Sequence, residues 1–365
     1  MDGSSSFNKG EWSELYVFLK LLGEGVLHPA NSDMDMLEGI YYPIVSIVSY
    51  IGSDISNVYE TGSDGNITVK DGQDNIISRV DAHEFLHFAG LLLKKIQNSA
   101  GRSFSVGEEI VRFINEIRYP KIKSPSKDKR DITVVLHDVK TLKNVEMGFS
   151  IKSMLGSPST LLNAESSTNF IYLVTGKQMS DQEIAEVNGI NTKSKIKDRI
   201  NSIVKRGGKL EFVDIDSENF YSNLQMIDSR FPDIVSEYLL QEYMGNDRTV
   251  KVLTGTIEKI NPCGVKNPGS FYEYKIKDLL TAAALGMTPS KPWNGVYDAT
   301  GGYIVVNEDG DLLCFHVFNR NEFREYLFKT TKLDGPSSSR FQYGSLFKYG
   351  TGTYFKLNLQ IRFIK

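Results

Sequence analysis

Residues 131–154, DITVVLHDVKTLKNVEMGFSIKSM, decide the fold of this 365-residue chain. Two runs rich in apolar and β-branched residues flank the polar segment KTLKN, a pattern that predicts two strands joined by a turn. Side chains two positions apart emerge on one face of a strand, so we expect Ser150 and Lys152 to point the same way. Asp131, at the head of the first strand, can then meet them across the hairpin.

The segments around this hairpin predict a mixed α/β protein. Helical periodicity and capping signals indicate helices on the N-terminal side, over residues 8–24, 81–97 and 106–118. On the C-terminal side the pattern predicts a short helix (158–166), a strand (169–176), a helical stretch (179–206), a short strand (210–215), more helix up to Met244, a hairpin with its turn at 308–311, and a terminal strand pair. We therefore expect a mixed sheet with a helical N-terminal portion and a β-rich C-terminal part.

Composition excludes several classes of protein. The chain is 40% hydrophobic and 24% charged, and it has no apolar run long enough to cross a membrane. The N-terminus MDGSSSFNKGEW lacks an apolar signal core. The cysteines, Cys263 and Cys314, form no CxxC motif, which predicts neither a disulfide framework nor a cysteine zinc site. These features together favour a cytoplasmic protein.

Charge is distributed unevenly along the chain, although the net charge is only −3. Residues 1–117 carry 8 basic and 17 acidic residues, whereas the residues after 312 carry 9 basic and 3 acidic residues. Such asymmetry is one way for an acidic protein to present a basic face to a polyanion. The candidates for DNA contact are Arg320, Arg324 and Arg340, together with Lys129 and Arg130 immediately before Asp131. Arg362 and the basic stretch 193–209 could also contact the DNA backbone, but they could equally be part of a solvated surface.

The chemistry that the hairpin suggests is phosphodiester hydrolysis. That reaction needs a carboxylate that binds Mg²⁺, a second oxygen ligand, and a cation near the attacking water. Asp131 and Lys152 supply the first and the last of these groups. An Asp before a strand and a Lys within the next are common, so the spacing alone does not specify a nuclease.

Four longer segments carry a resemblance to a known family. They are NKGEWSELYVFLKLL, RDITVVLHDVKT, GFSIKSMLGSPSTLLNAESSTNFIY and PSSSRFQYGSLFKYGTGTYFKLNLQIRFIK, spread from residue 8 to residue 365. The chain resembles the HpaII family of restriction endonucleases, and through it the wider nucleases whose active site is written Pro-Asp followed by Asp/Glu-x-Lys. The resemblance implies a restriction-endonuclease-like fold and Mg²⁺-dependent cleavage of double-stranded DNA at a palindrome, CCGG. It is compatible with a homodimer on the DNA.

The resemblance also implies roles for individual residues. Asp131 matches the metal-binding acid of the first strand, and Lys152 matches the motif lysine. Arg130 stands where the motif has Pro, which is a minor departure. Ser150 stands at the Asp/Glu position, so a metal-binding carboxylate is missing. Ile151, which lies between Ser150 and Lys152, is included among the metal-binding positions.

Two glutamates could replace that missing carboxylate. Glu165 lies thirteen residues past Lys152, on the predicted short helix, as in related enzymes with a Ser-x-Lys motif and a relocated Glu. Glu14, on the first helix, resembles the helix-borne glutamate that many such nucleases direct at the metal. Glu11 on the same helix is a rival for that role, and either helix acid could simply stabilise the helix N-terminus.

On this interpretation the chain has three parts. Residues 1–125 form a mainly helical portion that contributes a helix to the active site, residues 126–245 form the nuclease catalytic core, and residues 246–365 form a β-rich DNA-recognition part. The polar, basic segment 121–131 is the expected boundary between the first two parts.

Two other functions compete with the nuclease. His83-Glu84-Phe85-Leu86-His87 is a literal zinc-peptidase motif, for which Glu108 or Glu109 could supply a third ligand. The alternative interpretation is structural, with the two histidines half-buried on a helix. We also expect His28, His137 and His316 to be structural. The second alternative is a DNA-binding protein of nuclease fold that has lost activity, which the presence of Glu14, Asp131 and Lys152 disfavours.

Overall fold

The computed structural model describes residues 6–51, 53–101, 103–119, 129–139 and 141–364. It divides into two compact units. The first unit holds the described residues up to Ser159 together with Tyr297–Tyr326, and the second holds Thr160–Val296 and Leu327–Ile364. No helix in the described part of the chain is long and apolar enough to span a membrane.

The secondary-structure elements are numbered in chain order. The strands are β1 (Phe7–Asn8), β2 (Val26–Leu27), β3 (Tyr42–Ile51), β4 (Asp54–Thr61), β5 (Asn66–Asp71), β6 (Ile76–Asp81), β7 (Ser103–Phe104), β8 (Ile132–Asp138), β9 (Lys143–Ser153), β10 (Thr160–Leu162), β11 (Asn169–Thr175), β12 (Lys209–Ile215), β13 (Gly302–Val306), β14 (Leu312–His316), β15 (Thr331–Leu333), β16 (Leu346–Tyr349), β17 (Gly352–Asn358) and β18 (Ile361–Phe363). The helices are α1 (Lys9–Glu24), α2 (Ala82–Asn98), α3 (Glu108–Glu116), α4 (Asp181–Asn188), α5 (Lys195–Lys205), α6 (Glu218–Ile227), α7 (Phe231–Tyr243), α8 (Val250–Ile260), α9 (Pro268–Leu285), α10 (Arg320–Thr330) and α11 (Ser338–Phe341), with single 3₁₀ turns at Ser166–Thr168 and Val317–Asn319.

The first unit is built on one long mixed sheet. Its strand order is β14-β13-β9-β8-β3-β4-β5-β6, and β2 pairs with β3. The predicted hairpin is present as β8 and β9, an antiparallel pair in which Ile132 lies opposite Phe149. The predicted hairpin of β13 and β14 adds to it through a parallel pairing of β13 with β9. The mixed sheet, covered by helices, confirms the predicted α/β class.

Helix α1 packs against this sheet and begins where a capping box forms. The Asn8 side chain accepts a hydrogen bond from the Glu11 N–H, and the Glu11 carboxylate accepts one from the Asn8 N–H. The helix ends at Gly25, whose φ of 67° is left-handed. The apolar residues that give this segment its helical periodicity, Leu15, Phe18, Leu19 and Leu22, are buried. Tyr16 and Lys20 donate hydrogen bonds to the Gly310 carbonyl in the β13–β14 turn.

The second unit contains two smaller sheets, of order β12-β11-β17-β16 and β10-β18-β15, with helices α4 to α9. A buried arginine on α5 forms hydrogen bonds with loops of this unit. The Arg199 guanidinium donates to the main-chain carbonyls of Asn188, Ile190 and Gly344. Because charge-assisted hydrogen bonds consume its donors, this arginine serves the fold.

Several local predictions differ from the structure. The expected helix over 158–166 is instead the strand β10, which pairs with β18, followed by the turn Ser166–Thr168. Long-range pairing outweighs local propensity there. The N-terminal portion carries the three predicted helices but also the strands β3 to β6, and the C-terminal part carries α8 and α9 beside its strands.

The observed units also differ from the expected three-part division. Because β13 pairs with β9, residues 297–326 group with the N-terminal portion and with the β8–β9 hairpin. The expected boundary segment, 121–131, lies mostly outside the described residues.

A buried histidine makes the stability of the first unit depend on pH. His316 is 1% exposed, its Nδ1 accepts a hydrogen bond from the Phe318 N–H, and its Nε2 lies 3.1 Å from the Met147 sulfur. Burial lowers the pKa of His316 to about 4, although the negative charge of Asp138 acts in the other direction and raises this pKa. Between this value and about 6.5 the unfolded chain binds a proton that the folded chain does not bind, so stability falls as pH falls.

We expect the free energy of unfolding to drop by about 2 kcal/mol between pH 7 and pH 5 through His316 alone. Urea denaturation at both pH values measures it. In His316→Gln the pH dependence should be reduced by that amount, whereas the exposed His83→Gln control should keep the wild-type dependence. An unchanged pH dependence in His316→Gln would contradict the assignment.

Candidate active site

Asp131 immediately precedes β8, and its carboxylate is hydrogen-bonded to the neighbouring strand β9. Its main-chain N–H donates to the Phe149 carbonyl, which fixes its place in the ladder. Its Oδ2 accepts hydrogen bonds from the Ser150 hydroxyl at 3.0 Å and from the Ile151 N–H at 2.7 Å. Two donors therefore hold the carboxylate in one orientation.

Ser150 connects Asp131 to Lys152. The serine is 1% exposed, and its Oγ accepts a hydrogen bond from Lys152 Nζ at 2.8 Å while donating to Asp131. The result is a continuous amine–hydroxyl–carboxylate chain. The predicted meeting of these three side chains across the hairpin is confirmed, and the serine that replaces the motif acid is the residue that links the other two.

Glu14 reaches this group from α1. The hydroxyl of its neighbour Ser13 donates a hydrogen bond to the Lys9 carbonyl at 2.7 Å and is also hydrogen-bonded to the Ser153 hydroxyl at 2.8 Å, which joins α1 to the end of β9. Burial raises the pKa of the Glu14 carboxyl to about 8. The negative charge of Asp131 raises this pKa further, and the ammonium of Lys152 lowers it. Glu14 therefore lies within electrostatic reach of both.

The structure separates the two candidate glutamates of α1, Glu11 and Glu14. The Glu11 carboxylate is used in the capping box with Asn8, which is the structural interpretation of that residue. Glu14 makes no such cap and interacts with Asp131. The sequence alone could not separate them, because both lie near the N-terminus of an amphipathic helix.

Glu165 belongs to the second unit. It precedes the turn Ser166–Thr168, and its Oε2 accepts a hydrogen bond from the Ser167 hydroxyl at 3.0 Å. Its main-chain carbonyl accepts a hydrogen bond from the Asn358 side chain. These contacts lie within the second unit, and the part of Glu165 in catalysis stays a prediction.

The donors at this site suit a hard divalent cation. They are the carboxylates of Asp131 and Glu14. Ile151 has an apolar side chain, so the only oxygen it can offer is its main-chain carbonyl. In the described residues, no three His, Cys, Asp or Glu side chains gather as a metal-binding group. Mg²⁺ is usually held by one or two carboxylates plus phosphate oxygens and keeps several waters, so a two-carboxylate site fits it.

The residues predicted to contact DNA have different surroundings. Arg320 is exposed at the start of α10, and Arg340 is exposed in α11 with its guanidinium 5.2 Å from the Phe341 ring centroid. Lys129 and Arg130 are half-buried, and the Arg130 guanidinium lies 5.6 Å from the Tyr50 ring centroid. Arg324 is only 9% exposed within α10, which differs from the exposure expected of an arginine that contacts DNA.

The zinc-peptidase motif lies on the first two turns of α2. His83, Glu84 and His87 are exposed, while Phe85 between them is buried. His87 Nε2 lies 4.0 Å from a Glu109 carboxylate oxygen on α3, a surface ion pair when the histidine is protonated. The alternation of exposed and buried residues in this motif matches the amphipathic pattern of the helix.

The structure adds residues that the sequence analysis missed. Ser13 and Ser153 stand next to Glu14 and Lys152 in the sequence, so this signal was available. Tyr303 on β13 places its ring centroid 5.0 Å from Lys152 Nζ. No local signal could have revealed it, because the contact depends on a parallel pairing between strands distant in sequence.

Comparison with known proteins gives a consistent result. Residues 8–363 match the family model described as HpaII restriction endonuclease. The chain is 39% identical over 362 residues to the type II restriction enzyme HpaII of Haemophilus parainfluenzae, covering 98% of this chain and 99% of that protein. No solved structure matches the chain.

The match extends over the helix that carries Glu14, the hairpin that carries Asp131 and Lys152, and the strand that carries Tyr303. It therefore accounts for all the elements that assemble the site. This chain belongs to the HpaII restriction endonuclease family and is a type II restriction endonuclease, an enzyme that binds double-stranded DNA and cleaves it site-specifically.

Proposed function

We propose that this enzyme uses Mg²⁺ to hydrolyse DNA at the palindrome CCGG, with Asp131, Glu14 and Lys152 at its active site. The observation that carries the mechanism is the hydrogen-bonded chain from Lys152 through Ser150 to Asp131, with Glu14 beside it. A carboxylate pair next to an oriented amine is what phosphodiester hydrolysis requires.

Asp131 and Glu14 would hold the cation, with the main-chain carbonyl of Ile151 as a further oxygen donor. A bound Mg²⁺ supplies positive charge, which stabilises the extra negative charge on the phosphate in the transition state and lowers the pKa of a nearby water. The low-dielectric position of Glu14 favours this occupant, because burial makes two neighbouring carboxylates costly without a cation.

Lys152 would act on the attacking water or on a phosphate oxygen. Its ammonium has three donors and uses one on Ser150, which leaves donors for the substrate. Ser150 therefore orients the amine, and the carboxylate of Asp131 orients Ser150 in turn. A cationic donor held in place before the reaction stabilises charge that develops in the transition state.

Glu14 is the preferred replacement for the missing motif carboxylate. It interacts electrostatically with Asp131, and Ser13 joins its helix to the strand that carries Lys152. For the competing acid, Glu165, the contact in the structure is a hydrogen bond from the Ser167 hydroxyl within the second unit. We propose Glu14 as the metal ligand and Glu165 as the alternative.

The target CCGG follows from the family resemblance. Guanine offers O6 and N7 in the major groove, which an arginine binds with two hydrogen bonds, whereas cytosine offers only a donor amine. Arg320 and Arg340 are exposed and suit contact with bases or phosphates, and Lys129 and Arg130 lie directly beside Asp131 in the chain. Two symmetric copies would match the symmetry of a palindrome, so we propose a homodimer on DNA.

Alanine at position 131 or 152 should lower the cleavage rate strongly while DNA binding stays measurable. We expect a loss on the order of 10²–10³-fold for Lys152→Ala, since an oriented transition-state donor is removed. Single-turnover plasmid cleavage gives the rate, and a mobility shift in Ca²⁺ gives the affinity. Lys143→Ala, on an exposed residue of the same strand, is the matched control. Wild-type cutting by Lys152→Ala would rule the mechanism out.

The glutamates are separated by three variants that remove one charge each. Glu14→Gln should abolish cleavage and weaken binding of Mg²⁺ to the enzyme–DNA complex, measured by calorimetry with a non-cleavable DNA. Glu11→Gln should cut normally, because Gln also completes a capping box. Glu165→Gln should cut normally as well. Loss of cleavage in Glu165→Gln with normal cutting by Glu14→Gln would reverse the assignment.

The target is checked by sequencing the ends of a digested genome. We expect every cut to lie within CCGG, and methylation at cytosine C5 to block cutting, because the methyl group adds bulk in the major groove. A different consensus would refute CCGG while leaving the nuclease assignment intact.

A further inference from the structure

Tyr303 lies on the strand that borders the catalytic hairpin. In the parallel pairing of β13 with β9, Tyr303 is the partner of Ser150 and Val305 is the partner of Lys152. Paired residues of neighbouring strands project from the same face of a sheet. The Tyr303 side chain therefore shares a face with Ser150 and Lys152.

The ring of Tyr303 contacts the amine of Lys152. Lys152 Nζ lies 5.0 Å from the ring centroid, within the range in which an ammonium is attracted to the negative face of an aromatic ring. The tyrosine is 1% exposed, so little water screens this attraction. Ser150 holds the same nitrogen through a hydrogen bond of 2.8 Å. The amine is thus held by two contacts from two strands.

The ring itself is fixed by its surroundings. Its main chain is paired with β9 on one side and with β14 on the other, where Tyr303 lies opposite Phe315. Phe323 of α10 packs edge-on against the ring, with centroids 5.3 Å apart. A side chain packed on several sides offers a rigid surface to a flexible lysine, whose free side chain would otherwise sample many rotamers.

We propose that Tyr303 is a positioning residue for Lys152, and that its ring holds the ammonium in the orientation used for DNA cleavage. This inference rests on the proposed catalytic role of Lys152. The aromatic face is the part that acts, because it is the face that attracts the cation. Tyr303 lies more than 150 positions beyond the motif lysine in the sequence.

Two substitutions at position 303 separate the ring from the rest of the side chain. Tyr303→Phe keeps the ring, and we expect its single-turnover rate to stay within about twofold of wild type. Tyr303→Leu removes the ring, and we expect this rate to fall on the order of 10-fold. Affinity for a CCGG duplex in Ca²⁺ should change less than twofold in both variants, because Tyr303 is buried away from solvent.

Phe315→Leu is the matched control. Phe315 is also 1% exposed, lies opposite Tyr303 on the next strand, and stacks on Tyr326 with centroids 3.7 Å apart. The control loses a buried ring from the same sheet and should lose stability accordingly. Its single-turnover rate should stay near wild type. If Tyr303→Leu does not fold, Tyr303→Met is used in its place, because the unbranched methionine side chain can fill the space left by the ring.

A double-mutant cycle tests whether Tyr303 acts through Lys152. Adding Tyr303→Leu to Lys152→Ala should cause no further loss of rate, because the positioned group is already absent. A second 10-fold loss would overturn the inference, and so would an unchanged rate in Tyr303→Leu, an equal rate loss in Tyr303→Phe, or an equal rate loss in Phe315→Leu. Wild-type cutting by Lys152→Ala would instead overturn the proposed function, so the two failures are distinguishable.

Discussion

The pair of hydrogen bonds that the Asp131 carboxylate accepts from β9 is the interaction on which the site depends. One bond comes from the main chain of Ile151 and the other from the side chain of Ser150, so the position of the acid is fixed by the sheet itself. Sites built on strands are held more accurately than sites built on loops. The acid, hydroxyl and amine therefore keep their arrangement for as long as the two strands stay paired.

Other elements attach to this pair through contacts that are distant in sequence. Helix α1 is joined to the end of β9 by the hydroxyls of Ser13 and Ser153, and to the β13–β14 turn by Tyr16 and Lys20. Each attachment is a buried or half-buried polar contact between elements that also share the hydrophobic core. Polar contacts of this kind contribute modest free energy, but they fix the register in which apolar surfaces pack.

The sequence predicted well what local patterns control. The hairpin of β8 and β9, the hairpin of β13 and β14 and the three N-terminal helices each follow from a short periodic stretch, and the structure confirms them. The helix expected at 158–166 is absent because β10 pairs with a strand 200 residues later, which no local window contains. The distinction between Glu11 and Glu14 required the geometry of the capping box, and Tyr303 required the parallel pairing. Physical contacts between remote segments account for each of these differences.

The chain order of the first unit has a consequence for protein synthesis. Residues 160–296 are made before β13 and β14, so β9 leaves the ribosome without its parallel neighbour. At ~5–20 residues per second, roughly 7 to 30 s separate the synthesis of β9 from that of β13. During this interval the edge of the sheet and the Lys152 amine lack the partners that β13 later provides. A nascent chain thus acquires the complete arrangement of Asp131, Ser150, Lys152 and Tyr303 late, when most of the enzyme has been translated, and shortened products that end before β13 lack it.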